Sequence, residues 1–583
     1  MGSILISVSS SNSIDIFFLK GMEELSITSG LSLNAIIEES IKKNWDCPAL
    51  SDFKGVTLYY RDVARRIEKL HIIFSQCGLE RGDKVAICAK NQANWGVVFL
   101  ACISYGAVAV PLLHEFKPGN VHYLVNHSES RVLFVGDLMW DNLSQEEMPK
   151  LDAVIRITDF SLQYCSNKKI EEAMEHLNEY FGKKYPKSFG PEHVSYYKEE
   201  SPDQLALINY TSGTSGFSKG VMIPFRALIS NVFFAREVYP EVDNTSKVVS
   251  MLPTAHMYGM MFEFLFEITR GVHIYFLTRI PSPRIIMEAF ATVKPNVVVA
   301  VPLIIEKIYK QKLLPLLNKT QIKLMLRLPV LDQIVCQKIR DELVKTFGGL
   351  FKEVIIGGAA FNKEADEFFR RIKFPYTVGY GMTECAPIIA YAPWDKNKLF
   401  SCGKAAPRMQ IRIDSENPAS IPGEIQVKGD NVMLGYYKNP EATDSAFTED
   451  GWMKTGDMGI MDEDGYLFIK GRCKNMILGP SGQNIYPEEI ESMINNLPYV
   501  VESLVVDEGG KLVALVYPDI ELCQADGMDS DAMVKKIEEE IDLLNAELPA
   551  YALIKGVKIM PEEFEKTPKR SIKRYMYQPN NNQ

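Results

Sequence analysis

A chain of 583 residues exceeds what one hydrophobic core ordinarily serves, so two or more domains are expected. With 46% hydrophobic and 24% charged residues, a formal charge of −10 and no long basic run, the composition is that of a globular protein and excludes duplex nucleic acid as an expected partner, while leaving room for a local basic groove around an anionic cofactor. Its ten cysteines are scattered without a Cys-x-x-Cys pair, which argues against structural zinc and suits a reducing compartment, here the cytoplasm, and no apolar run is long enough to span a bilayer.

Residues 1–21 are serine-rich and lack the cationic start of a signal peptide, and the apolar run 14–19 is too short to anchor the chain. They read as a disordered extension or a mis-called start. From 31 to 112 helical and strand-like segments alternate. Val63, Ile67, Leu70 and Phe74 fall near helical spacing, 78–83 is a turn, and 84–89 is a strand. Asn94 and Trp95 then open an apolar helix that ends at Gly106, followed by a strand at 108–112. This alternation predicts parallel sheets covered by helices. Residues 141–201 are more polar and read as helices and loops.

An apolar strand at 205–208 leads into Tyr210-Thr211-Ser212-Gly213-Thr214-Ser215-Gly216-Phe217-Ser218-Lys219-Gly220. Glycines let backbone N–H groups turn toward a guest, hydroxyls add donors, and Lys219 supplies a mobile positive charge. Together they describe a cradle for a polyphosphate. A flexible linker is the plain alternative, but strand-like runs flank the segment on both sides. A Walker loop is excluded, because Gly220 rather than Ser or Thr follows Lys219, and Pro224 interrupts the helix that such a loop requires.

Further on, a strand at 248–253 precedes His256, placed where ligands gather at the C-terminal ends of parallel strands. Met257, Tyr258, Met260, Met261 and Phe262 read equally as the wall of an acyl tunnel or as a buried helix. The strand at 297–302 is followed by one near 353 that ends in Gly357, Gly358, Ala359 and Ala360, where a flat ring can approach backbone. Tyr380, set between Gly379 and Gly381, is free to stack its ring, and Thr383 and Glu384 offer the oxygen ligands that Mg2+ prefers. Asp457 follows Thr455 and Gly456, a sequence that usually marks a turn. Segments 422–429 and 433–437 read as strands and turns of mainly structural value.

In this order the motifs resemble the adenylate-forming superfamily of acyl-CoA synthetases, firefly luciferase and peptide-synthetase adenylation domains, and most closely its long-chain fatty-acid–CoA ligases, from Met22 to about Tyr577. The resemblance implies an α/β fold: a large N-terminal domain (22–472) of parallel and mixed sheets covered by helices, and a small mobile α+β lid (473–583). It implies a fatty carboxylate attacking Mg2+-bound ATP to give acyl-AMP and pyrophosphate, then coenzyme A displacing AMP. Thr211, Ser212, Gly213, Thr214 and Lys219 then hold phosphates. Gly358, Ala359, Tyr380 and Gly381 face adenine, and Thr383 and Glu384 meet the nucleotide, Glu384 as the magnesium ligand. Asp457 and Arg472 hold ribose, and His256 borders the carboxylate. A bilayer visit fits a fatty substrate, although no amphipathic anchor is evident. An acyl-carrier protein arriving in trans is the alternative acceptor, and a nucleotide-binding relative without activity is the alternative to an enzyme.

The chain departs from the family at its end. Relatives carry a catalytic lysine in this stretch, but Lys566-Thr567-Pro568-Lys569-Arg570-Ser571-Ile572-Lys573 puts Ser571 at its place. Losing such a charge costs about 3–4 kcal/mol in the transition state. Lys573 is the expected substitute, Lys569 the other candidate, and a solvated basic tail the plain reading.

Overall fold

A computed structural model describes residues 32–211, 218–279, 281–309, 313–317, 319–479, 483–567 and 571–578. The expectations that fall on 1–21, on Ser212, Gly213 and Thr214, and on Lys569 lie outside the described residues. An eight-stranded sheet organises the first half of the chain. Its order is Gly435–Tyr436, Lys219–Pro224, Leu205–Thr211, Val108–Leu112, Lys84–Cys88, Ser130–Val135, Ala153–Arg156, Leu162–Cys165. The inner strands are parallel and both edges close with antiparallel pairs. Val108–Leu112 is buried at every position and Lys84–Cys88 at all but the first, as strands covered on both faces must be.

Helix Tyr60–Gln76 buries Val63, Ile67, Leu70 and Phe74 along one stripe. Helix Ala93–Tyr105 is apolar nearly all round and ends at Gly106, whose φ of +89° is a conformation that favours glycine. Trp95 stacks on Phe99 at 5.5 Å and meets Phe264 edge-on at 5.9 Å. A Cβ on Gly96 would come within 2.7 Å of the same Phe264 ring, so that helix–helix approach depends on glycine.

The strands Ala153–Arg156 and Leu162–Cys165 are corrections to the helix-and-loop reading of 141–201. Each has only four residues: the first offers just the short buried run Ala153, Val154 and Ile155, and no position of the second is fully buried. Pairing with Ser130–Val135 and with one another makes them strands. Tertiary context decides here.

Smaller sheets complete the part of the chain before the turn at Cys473–Asn475. Lys247–Ser250, His273–Phe276 and Pro48–Asp52 run parallel, with Thr57–Tyr59 antiparallel at the edge. Val298–Ala300, Val354–Ile356 and Tyr376–Val378 form a second parallel set. Met409–Asp414, Gly423–Gly429, Met453–Met461 and Leu467–Arg472 form an antiparallel one.

After the turn Cys473–Asn475 comes a separate core. Strands Val500–Asp507, Leu512–Pro518 and Ile554–Ile559 alternate their side chains between two faces. Val505, Ala514 and Val516 pack with Ile490 and Ile494 of helix Pro487–Ile494 and with Ile537 and Ile541 of helix Ser530–Asn545. Leu504, Val506, Val513 and Leu515 instead take Phe564, Ile572 and Tyr577 from the chain's last segment. Lys470 Nζ lies 3.2 Å from Glu489, and Asn475 donates to Glu488 at 2.5 Å. No helix among the described residues is long and apolar enough to cross a membrane.

One helical run, Met257–Met260, Met261–Leu265 and Phe266–Arg270, buries two glutamates four residues apart. Glu263 accepts backbone N–H bonds, but neither carboxylate oxygen of Glu267 has a hydrogen-bond partner among the described residues. Burial pushes the Glu267 carboxyl up from 4.5 to about 8. Its folded value is raised, so the unfolded chain loses the proton first and stability drains away as pH climbs from about 4.5 to 8. Glu267→Gln removes that titration. In thermal melts the stability of the variant relative to the parent is expected to rise between pH 5 and pH 8, by on the order of a few kcal/mol. Parallel pH profiles for the two proteins would show that Glu267 does not titrate in this way.

Candidate active site

Strands Leu205–Thr211 and Lys219–Pro224 pair antiparallel, with Thr211 opposite Lys219. The glycine- and hydroxyl-rich segment therefore joins two strands of a hairpin, and helix Phe225–Val238 starts only after Pro224. This geometry differs from a Walker loop, which runs straight into a helix. Tyr210 is buried, its hydroxyl 2.7 Å from His127 Nδ1. Lys219 holds its ammonium 4.6 Å from the centre of the Tyr436 ring.

His256 stands on a loop pinned from three directions. Asn91 Nδ2 donates to the Leu252 carbonyl at 2.6 Å while its Oδ1 accepts the Thr254 N–H at 2.9 Å. Asn209, two residues before Thr211, donates to the Ala255 carbonyl at 2.9 Å. Glu263 Oε2 accepts the N–H groups of Met251 and Leu252 at 3.0 and 2.9 Å. The imidazole caps the following helix, with Nδ1 accepting the Tyr258 N–H at 3.3 Å. In the neutral ring that leaves the proton on Nε2.

A cleft of about 700 Å3, including its open mouth, is lined by His256 and by the glycine-flanked segments near 357 and 380, while Thr211, Lys219, Glu384, Asp457 and Arg472 stand outside its lining. Gly357, Gly358, Gly379, Tyr380, Gly381 and Thr383 form one part of its lining. Gly358 has φ +90°, and a Cβ built on it would touch only Val301 at 3.8 Å, so the backbone there is open to a flat guest. Ala359 is exposed and is not among the residues lining the cleft.

Tyr380 donates its hydroxyl to Asp457 Oδ2 at 2.5 Å. Asp457 lies within the strand Met453–Met461 rather than at a free turn, 5% exposed and directly opposite Arg472, whose Nε is 2.9 Å from Oδ1. Burial pushes the Asp457 carboxyl up and the guanidinium of Arg472 opposes that shift.

Glu384 lies on the short turn Thr383–Cys385, only 9% exposed. Its Oε1 accepts the Tyr436 hydroxyl at 3.0 Å, and its carbonyl accepts the Met433 N–H at 2.9 Å. A carboxylate beside a threonine hydroxyl is a hard-oxygen donor set, which fits Mg2+ carried in on a phosphate chain.

The rest of the lining mixes aromatic rings with aliphatic side chains such as Val297, Val299, Ile355 and Ile388. Phe234 meets Tyr391 at 5.3 Å and Phe262 at 5.9 Å, and Tyr258 meets Phe262 at 6.1 Å. Tyr258, Phe262 and Phe266 are four residues apart and share one helical stripe. Met257, Met260 and Met261 are fully buried on other faces and do not line the cleft, so the tunnel reading of 257–262 applies to Tyr258 and Phe262 alone.

Lys573 is not brought to the cleft. Its Nζ lies 3.4 Å from Glu565 on the far face of the small sheet. Sequence reasoning missed Phe234, Tyr239 and Tyr391, which carry no motif, and passed over Tyr436 as structural.

Residues 37–437 match the AMP-binding enzyme family, and residues 474–579 match the AMP-binding enzyme C-terminal domain. A long-chain-fatty-acid–CoA ligase of Mycobacterium bovis is 27% identical, covering 88% of this chain and 89% of its own length. Long chain acyl-CoA synthetase 3 of Arabidopsis thaliana is 28% identical over 80% of this chain and 74% of its own. Among solved structures, the anthranilate CoA ligase AuaEII in complex with anthranoyl-AMP superposes with a TM-score of 0.74 at 17% identity, covering 95% of this chain and 98% of that one, a likeness of fold. The chain belongs to the AMP-binding enzyme family.

Proposed function

We propose that this protein is a fatty-acid–CoA ligase: a fatty carboxylate displaces pyrophosphate from the α-phosphate of Mg·ATP, and the coenzyme A thiol then displaces AMP from the acyl-adenylate. The observation that carries the reading is that Tyr380 of the Tyr380–Asp457–Arg472 cluster and Thr383 of the Thr383–Glu384 turn line one cleft with the aromatic rings of Phe234, Tyr258, Phe262 and Tyr391. Relatives named long-chain-fatty-acid–CoA ligase or acyl-CoA synthetase, which span most of the chain, support the same reading.

Asp457 and Arg472 take the ribose, Tyr380 and the glycines at 357–358 take adenine, and Glu384 takes the magnesium. Thr211, Lys219 and the segment between them take the phosphates, and His256 flanks the acid. Nothing here requires a covalent enzyme intermediate, so the protein contributes position and charge. Residues 22–472 act as the body and 473–583 as a lid whose rotation admits the thiol. Free thiols at all ten cysteines favour the cytoplasm. Bilayer contact rests on substrate chemistry alone, and acyl-carrier protein is the second acceptor to offer in an assay.

Purified protein with Mg·ATP and a fatty-acid panel is expected to release pyrophosphate in an acid-dependent manner and to form acyl-CoA with coenzyme A. A protein that never releases pyrophosphate is not a ligase. Asp457→Ala is expected to lower kcat/KM for ATP by about 10- to 100-fold, the worth of one to two charged hydrogen bonds, with KM for the acid unchanged. Lys573→Ala is expected to slow hydroxamate formation from acid, Mg·ATP and hydroxylamine by about a hundredfold or more. An unchanged rate rejects Lys573 as the source of the missing charge.

A further inference from the structure

The segment 433–437 does more than close the sheet. Gly435–Tyr436 pairs antiparallel with the return strand of the phosphate hairpin, Gly435 opposite Met222 and Tyr436 opposite Val221. Leu434 and Tyr437 extend that ladder to Met222 and Gly220 at 2.9 and 2.7 Å, and the Tyr436 N–H is held by Thr443 Oγ1 at 2.9 Å. A Cβ on Gly435 would come 2.6 Å from Thr443, so this strand lies hard against helix Pro440–Ala446. Tyr436 is thereby a fixed side chain beside a hairpin more than two hundred residues earlier in the chain.

Two groups of opposite charge touch that one side chain. Glu384 Oε1 accepts its hydroxyl proton at 3.0 Å, and the Lys219 ammonium stands 4.6 Å from its ring centre. Left to themselves, a buried carboxylate and an ammonium that share one neighbouring ring tend to form an ion pair, and a paired lysine and glutamate are less available to phosphate and metal. A neutral phenol contact and a cation–π contact are each worth only about 0.5–2 kcal/mol, little enough to be exchanged for a triphosphate and its magnesium.

We propose that Tyr436 is a positioning residue that keeps Lys219 and Glu384 apart and ready: its face holds the lysine for the phosphates, and its hydroxyl holds the carboxylate for the metal ion. This rests on the reading of the cleft as an Mg·ATP site. It predicts that the two halves of the side chain are separable.

The test is equilibrium binding of α,β-methylene-ATP, which lacks the bond broken in adenylation, with Mn2+ affinity read by electron paramagnetic resonance. Tyr436→Phe keeps the ring and is expected to bind the analogue without metal as the parent does, while Mn2+ affinity in the ternary complex falls about 3- to 10-fold. Tyr436→Leu is expected to lose metal-free analogue binding as well, by about 3- to 10-fold, and to add nothing to a Lys219→Ala background. If both variants bind metal and analogue as the parent does, or if they are impaired alike, the proposal is overturned while the Mg·ATP reading stands. If the parent itself does not bind the analogue, both fall together.

Discussion

Asp457 is the constraint on which the Tyr380 side of the candidate site depends. A carboxylate so far out of water cannot stay charged without partners, because desolvation of an unpaired ion costs several kcal/mol even after relaxation. Its partners come from two directions, the Tyr380 hydroxyl and, across the ladder, Arg472. Each partner fixes a further element. Tyr380 ties the strand Tyr380–Gly381 to the sheet that carries Asp457, and the Thr383–Cys385 turn follows at once, so Glu384 takes its place from the same anchor. Arg472 is the last residue of its strand, immediately before Cys473–Asn475. The buried acid therefore joins the segment from Tyr380 to Cys385 to the junction with the small domain.

The acid-facing side rests on a comparable arrangement. The His256 loop has little regular structure, yet Asn91, Asn209 and Glu263 reach it from three elements. Asn209 is shared property: it sits on the strand that ends in Thr211, so the base of the phosphate hairpin and the His256 loop are held in one frame. Chemistry that gains mainly from placing two reactants needs such a frame, since small displacements of a reacting atom are costly.

The alternation of strands and helices from 58 to 112 was legible because buried parallel strands and amphipathic helices leave unmistakable periodicities. Gly358 and Gly381 were legible because backbone geometry demands glycine there, the first at φ +90° and the second with room for no Cβ, which would come 2.3 Å from the Pro387 carbonyl oxygen. What escaped lacked a local signature. Asn91 looks like scaffold until its partners, Leu252 and Thr254, are found far along the chain. Tyr239 and Tyr391 are single aromatics within ordinary core segments, and only the fold turns them toward the cleft. Tyr436 was quoted within a recognised motif but read as structural, because its two charged contacts lie in other motifs altogether.

Ser571 and Lys573 pose the sharpest question, and the way the tail is anchored bears on it. Arg574 makes a two-pronged bond to Glu491 at 2.6 Å on both oxygens, with both side chains almost buried. Burial raises the Glu491 carboxyl and Arg574 opposes the shift, so this pair fixes the tail to helix Pro487–Ile494. Lys573, the next residue back, has only Glu565, a partner that is 60% exposed. A pair of that kind is worth about 0–1 kcal/mol. The tail is thus held by Arg574 together with Ile572 and Tyr577, which pack on the small sheet, while the ammonium of Lys573 can leave Glu565 at small cost.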